Sequence, residues 1–264
     1  MNNESKNHDA AVKRAAAEML RKADAVYMIL SLCTRMPYVV CDEKTYDDEI
    51  LLYFEEEAAK AAVKKLLEKK EPVQAVKIGK KDLLAFYVSL MPLGVNCILV
   101  NQGTPVEIPI QLDEIIRRKE PEEEGKMLIE NPQLHLTALY FMQAVRKAQK
   151  VELTEELKAL HEEMMVHYQR GTYIIPVKEQ AGTLVMKQKN GQVFQPVFTD
   201  IQEYKKFLSM QKEKGIKSAV LPSEKIPGLL APETAGVVVN PFGVNLQLQI
   251  GREKQEVSKD RTDL

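Results

Sequence analysis

The chain has 264 residues, 45% of them hydrophobic and 28% charged, with a formal net charge of −1. That composition is ordinary for a globular protein, and the length exceeds what one hydrophobic core usually serves, so two domains are expected. A near-neutral balance gives no general attraction to nucleic acid or anionic membranes, and no apolar run approaches the roughly 20 residues of a bilayer span.

The opening "MNNESKNHDAAVKRAAAEML" lacks the apolar core of a secretory signal, so a cytoplasmic protein is expected. An Ala-rich amphipathic helix is predicted over residues 10–23, within an N-terminal segment ending at 24. "AVYMIL" (25–30), "YVVC" (38–41) and "ILLYF" (50–54) read as strands. In "EEEAAKAAVKKLLEKK" the apolar residues Ala58, Ala59, Ala62, Val63, Leu66 and Leu67 recur at helical spacing and define one buried face. Strand "VQAVKI", short helix "KDLLAFYVSL", buried strand "CILV" (97–100), turn "NQGTP" and strand "VEIPI" (106–110) complete a first module over 25–116.

"RRKEPEEEGK" (117–126) reads as a boundary. Beyond it, Asn131 before Pro132 starts a helix with a stripe of Leu134, Ala138, Phe141, Val145 and Ala148. A second helix runs from near Thr154 to before Gly171, with Leu157, Leu160, His161, Met164, Met165 and Tyr168 on its apolar face. The short connection makes the two an antiparallel hairpin, so 117–170 is expected to be a linker and helical hairpin. Strands "TYIIPV", "TLVMKQK" and "QVFQPVF" follow, the last two joined by a turn at Asn190-Gly191. Thr199 with Gln202 fits a capping box for the helix in "TDIQEYKKFL", with Ile201, Tyr204 and Leu208 facing inward. "KSAVL", a turn or short helix at "SEKIPGLL", "GVVVN" and "VNLQLQI" close a second module over 171–251. The charged tail, 252–264, is expected to be disordered.

The two modules share one order: three strands, a long helix, a strand, a short helix, a strand, a turn and a strand. "ILLYFEEEAAKAAVKKLL" lies on "VFQPVFTDIQEYKKFLSM" with Phe54 on Phe198, and "CILVNQGTPVEIPI" lies on "VVVNPFGVNLQLQI" with Asn101 on Asn240. The fold class expected is therefore α+β, two tandem modules each with a mixed β-sheet flanked by helices and joined by a helical hairpin.

Through "YIIPV", "QPVFTDIQEYKKF" and "GVVVNPFGVNLQL", the second module resembles the N-terminal domain of the bacterial enhanced serine sensitivity (SseB-type) proteins, most clearly over 172–250. The first module resembles a diverged copy over 25–112, with Glu55 in place of the Phe-Thr threonine and Gln102 in place of the Asn-Pro proline. The resemblance implies a mixed sheet flanked by helices and no established activity, since the family name records a phenotype and not a mechanism. It directs attention to Phe198, Thr199, Asn240, Pro241 and Phe242 as candidate binding residues. Asn240 reads first as a turn residue, because its side chain can bond local backbone and an asparagine recurs at Asn101. Any special role then falls to Pro241 and Phe242, which the first module lacks.

Catalytic signatures were sought and no catalytic residue is assigned. His161 and His167 in "HEEMMVH" lie six apart, on nearly opposite sides of a helix, which excludes the metalloprotease spacing. His161 is expected to be a packing residue. There is no glycine-rich phosphate loop and no nucleophile elbow. Cys33, Cys41 and Cys97 form no CxxC pair, so each is expected to be a buried thiol, with no disulfide and no bound zinc. The acidic run "DEKTYDDE" (42–49) lacks the glycine and spacing of a calcium loop and reads as a solvated hairpin turn. No metal or cofactor is expected. The function expected is non-catalytic binding of a protein partner, with a second copy of the chain as one candidate. The alternative is a small-molecule binder or enzyme with a pocket between the modules.

Overall fold

The computed structural model describes residues 3–117, 128–148, 154–178, 182–188, 190–211 and 215–251, with side chains from Ala10 onward. The linker 118–127 and the tail from 252 lie outside the described residues. The chain divides into two compact units, Met1–His167 and Tyr168–Leu264. The class is α+β with several sheets, as expected. Among the described residues, no helix is long and apolar enough to cross a membrane.

In the first unit α1 (Asn3–Lys22) leads into strands β1 (Ala25–Ser31), β2 (Val39–Cys41) and β3 (Asp48–Tyr53). After α2 (Glu56–Glu68) come β4 (Val73–Gly79), α3 (Lys80–Leu90), β5 (Cys97–Val100), β6 (Ile108–Gln111) and one turn of helix, α4 (Leu112–Ile115). The strands form one mixed sheet in the order β4-β1-β3-β5-β6, with β2 also on β3. In this sheet only β3 and β5 run parallel, with α2, β4 and α3 forming the crossover between them; β1 and β4, which α2 also separates in the chain, pair antiparallel. The α2 stripe works largely as its spacing predicts. Ala58, Ala59, Ala62, Val63 and Leu66 cover Leu51, Tyr53 and Leu99, whereas Leu67, at the edge of the stripe, is about half exposed.

Helices α5 (Pro132–Lys147) and α6 (Glu155–Arg170) follow. The division between units falls inside the last turn of α6, so α5 and most of α6 are counted with the first sheet. Gln143 explains the docking of α5. Its side chain accepts from Val39 N–H at 3.1 Å and donates to Val39 C=O at 3.0 Å, completing β2 as a strand partner would. The buried face of α5 is accordingly Leu134, His135, Thr137, Ala138, Leu139 and Gln143, rotated from the expected stripe, in which Phe141 and Val145 are half-buried and Ala148 is exposed. Asn131 occupies the N-cap position without a side-chain bond to a helix N–H. On α6, Leu157, Met164 and Tyr168 are buried as expected, but His161 is exposed, its ring tilted on Phe141 at 5.8 Å. The cysteines also depart from expectation: Cys97 is buried, Cys33 half-buried and Cys41 exposed, because Cys41 ends an edge strand at the turn.

The second unit contains β7 (Thr172–Lys178), the two-residue strands β8 (Gly182–Thr183) and β9 (Met186–Lys187), β10 (Val193–Val197) and α7 (Ile201–Met210). Next come β11 (Lys217–Pro222), two 3-10 turns at Ser223–Lys225 and Pro227–Leu229, β12 (Thr234–Val239) and β13 (Leu246–Leu248). They form a sheet β13-β12-β10-β9 and a smaller one β11-β7-β8, touching through the antiparallel bridge Ile174↔Phe198. The parallel pair here is β10 and β12, whereas β7 and β11, which α7 also separates in the chain, pair antiparallel.

Strand pairing makes the duplication exact enough to number. Asn101 N–H donates to Leu52 C=O at 2.8 Å, and Asn240 N–H donates to Val197 C=O at 3.0 Å. Leu52 therefore corresponds to Val197, Tyr53 to Phe198, Phe54 to Thr199 and Glu55 to Asp200. The match of Phe54 with Phe198 is corrected by one residue, since a one-residue slip would put each side chain on the wrong face of the strand. The cap is corrected with it. Asp200, not Thr199, is the N-cap of α7, its Oδ1 accepting from Gln202 N–H at 2.8 Å and Glu203 N–H at 3.0 Å. On α7 the buried residues are Glu203, Tyr204 and Phe207, while Ile201 is exposed and Leu208 half-buried. Glu55, the counterpart of Asp200, makes no side-chain cap bond on α2. Asp200→Ala is therefore expected to lower stability by about 2 kcal/mol, and Glu55→Ala by less than about 0.5 kcal/mol. Equal urea-midpoint shifts for the two variants would contradict this assignment.

Candidate functional site

The candidate residues of the second unit converge on the end of β12. Asn240 is fully buried and sits at φ 47°, a left-handed conformation that asparagine tolerates because its short amide bonds nearby backbone. Its Oδ1 accepts from Thr199 N–H at 3.0 Å, and its Nδ2 donates to Thr199 Oγ1 at 2.8 Å. Thr199 Oγ1 in turn donates to Asp200 Oδ2 at 2.7 Å, and Asp200 holds the start of α7. Phe198, Thr199 and Asp200 are buried. This is a closed polar chain in an apolar setting, where each bond is strengthened and each loss is costly.

Asn240 C=O also organises the loop that follows, accepting from Gly243 N–H and Asn245 N–H, both at 2.9 Å. Glu203 is buried from the side of α7 and paired with Lys206. A Cβ on Gly243 would meet Glu203 Oε2 at 2.4 Å, so only glycine fits here without displacing that carboxylate. The loop is thereby held at its base, and Pro241 is left half-buried with Phe242 43% exposed. The Phe242 ring leans on Phe207 with centroids 6.1 Å apart. Met210, one turn farther along the same face of α7, is 66% exposed. Of the five candidate binding residues, Phe198, Thr199 and Asn240 are thus committed to the interior, and Pro241 and Phe242 reach the surface.

The first unit repeats the clamp in reduced form. Asn101, at φ 53°, accepts from Phe54 N–H at 3.3 Å. Phenylalanine in place of threonine supplies no hydroxyl, so the chain of side-chain bonds stops there, and Gln102 and Gly103 stand where Pro241 and Phe242 would be.

Sequence reasoning missed a polar row at the other end of this sheet. Glu49 on β3 pairs in register with Cys97 on β5, which pairs with Gln111 on β6. Cys97 Sγ donates to Glu49 Oε1 at 3.4 Å. Asp47 accepts from Asn96 Nδ2 at 2.7 Å and from Gln111 Nε2 at 3.0 Å. Asp47, Glu49 and Cys97 have ligand atoms within 4.8 Å of one another, but the row's own hydrogen bonds account for its arrangement and no metal is assigned to it. Burial raises the Glu49 carboxyl above its usual range, and the charges of Asp42, Asp47 and Glu107 push the same way. Burial raises the Cys97 thiol too, with Glu49 adding to it. The signal for this row was the Glu in an otherwise apolar strand, which the acidic run around it concealed. The first part of the run, 42–47, forms the expected hairpin turn between β2 and β3, with Asp42 Oδ1 accepting from Lys44 and Thr45 N–H at 2.7 and 2.8 Å, while Asp48 and Glu49 depart from it by starting β3, with Glu49 buried.

Asn240→Ala is expected to cost about 2–4 kcal/mol, because it orphans buried groups on Thr199, and Asn101→Ala roughly half that. Chemical denaturation of both variants checks the order, and equal losses would refute the buried chain. A pH series tests Glu49. Folded Glu49 holds its proton more tightly than unfolded Glu49, so the native protein loses stability as pH rises from about 4.5 through the raised folded value. Glu49→Gln removes that loss: its gain in stability over the native chain is absent below about pH 4.5 and grows above it. Parallel stability curves would contradict the raised value.

No protein-family model matches the chain, and no curated protein matches it. Among solved structures, Tic22 from Plasmodium falciparum aligns with 84% of this chain and 90% of its own, at 15% identity and a TM-score of 0.22. Anabaena Tic22 (protein transport) aligns with 80% and 84%, at 10% identity and a TM-score of 0.22. Scores this low carry no argument about fold or function.

Proposed function

We propose that the chain is a non-catalytic protein-interaction module of the SseB type, working in the bacterial cytoplasm, with Pro241 and Phe242 as its contact point. The observation that carries this reading is a solvent-facing aromatic on a loop whose base is buried and hydrogen-bonded. A half-exposed phenylalanine is ordinary on a mobile tip. On a loop held by the bonds of Gly243 and Asn245 N–H to the Asn240 carbonyl it loses little conformational freedom when a partner covers it, which is how preorganised anchors gain affinity. Proline before it restricts the loop further. Phe207 supports the ring from below, and Met210 extends the apolar surface with a side chain that adapts to its partner. The resemblance in "QPVFTDIQEYKKF" and "GVVVNPFGVNLQL" agrees with this, because those two segments supply the clamp and the displayed residues.

The full-length chain used as bait in a cytosolic extract, beside Phe242→Ala and Phe242→Asp, tests the reading. Both variants are expected to lose captured protein by at least about tenfold, while stability falls by only about 1 kcal/mol, since the side chain is already half exposed. Undiminished capture by Phe242→Asp would sink the proposal.

A further inference from the structure

The first unit holds a cleft of about 530 Å³ between the β2–β3 edge, α5 and α6, a volume in the range of small-molecule sites. All its lining residues lie within Met1–His167. Its walls are chiefly apolar, with Val39 from the sheet, Leu136 from α5 and Leu160 from α6. Its charge is not balanced. Among the described residues, Asp48, Glu71 and Glu163 line it with one ammonium, Lys147, and that ammonium is paired with Glu71 at 2.7 Å. Glu163 Oε1 meets His167 Nε2 at 3.3 Å and its side chain is 57% exposed, so Asp48 and Glu163 together form a partly solvated acidic end. Tyr140 Oη donates to Asp48 Oδ1 at 2.8 Å, which fixes the carboxylate's orientation and leaves its second oxygen to receive a ligand's donor.

We infer that this cleft binds a small organic cation, an amine whose ammonium meets Asp48 and Glu163 while its short apolar body lies along Val39, Leu136 and Leu160. Each feature selects for that class. An anion would face two carboxylates with no open cation to receive it. A hard metal ion would need several oxygens gathered at one point, and among the described residues the cleft's carboxylates form no such group. A neutral apolar molecule would leave the acidic end desolvated without compensation. An amine relieves the repulsion between Asp48 and Glu163 and forms charge-assisted hydrogen bonds in a partly dry setting, where they are strongest. Its lining residues and Phe242 belong to different units.

Calorimetry of the full-length chain with hexylamine, hexanol and hexanoate tests the inference. Hexylamine is expected to bind, hexanol at least about tenfold more weakly, and hexanoate not at all. Asp48→Asn, which keeps an acceptor for Tyr140, is expected to weaken hexylamine binding about 10- to 100-fold. Phe242→Ala leaves it unchanged. Cys41 gives a second readout, because its exposed thiol lines the cleft. In a Cys33→Ser background, saturating hexylamine slows alkylation of Cys41, and Leu160→Trp, which fills the cleft, removes the amine's effect. Binding of hexanol as tight as that of hexylamine, undiminished binding by Asp48→Asn, or an absence of hexylamine binding would each overturn the proposal.

Discussion

An asparagine amide at the end of a parallel strand is the interaction on which much else in this protein rests. A parallel pair leaves both chains departing from the same end of the sheet, where their backbone groups must be satisfied without a ladder. Asn240 solves this by turning left-handed and bonding the N–H of Thr199 on the neighbouring chain. Its carbonyl then organises the next loop, and Thr199 passes the constraint to Asp200 and so to the start of α7. One buried side chain thereby couples two strand ends, a helix terminus and a surface loop. Asn101 makes the same backbone bond in the first unit, which explains why asparagine recurs there while its neighbours do not.

The two copies have spent that shared frame differently. In the second unit the frame is closed and polar, and its product is a fixed loop carrying Phe242. In the first unit Phe54 ends the hydrogen-bonded chain, the loop carries Gln102 and Gly103, and the helix start has no side-chain cap. What the first unit gains lies elsewhere on its sheet. Gln143 seats α5 against β2, Tyr140 reaches Asp48, and the space beside them becomes the acidic-ended cleft. Both units keep the parallel pair with its strand-end asparagine, although the second divides its strands between two sheets, and the elements packed against them decide which surface faces outward with chemistry on it.

Sequence alone determined the repeated order of elements and the helix in each copy, because hydrophobic periodicity is a local property of the chain. It also singled out Asn240 as a turn residue, since residue type dictates local backbone conformation, and Pro241 and Phe242 as the pair on which any special role falls, since the first module lacks them. Tertiary structure alone decided what depends on register and approach. The one-residue correction from Phe54 to Tyr53 opposite Phe198 is invisible in spacing, because either alignment puts an aromatic beside a helix. Likewise Thr199 and Asp200 both suit a helix cap, and only the bond to Asn240, 41 residues away, leaves the aspartate to take the position. The outward turn of His161, the exposure of Cys41 and the convergence of Asp48 and Glu163 were undecidable for the same reason. Each depends on which face a neighbour from a distant part of the chain covers, and no local pattern encodes that.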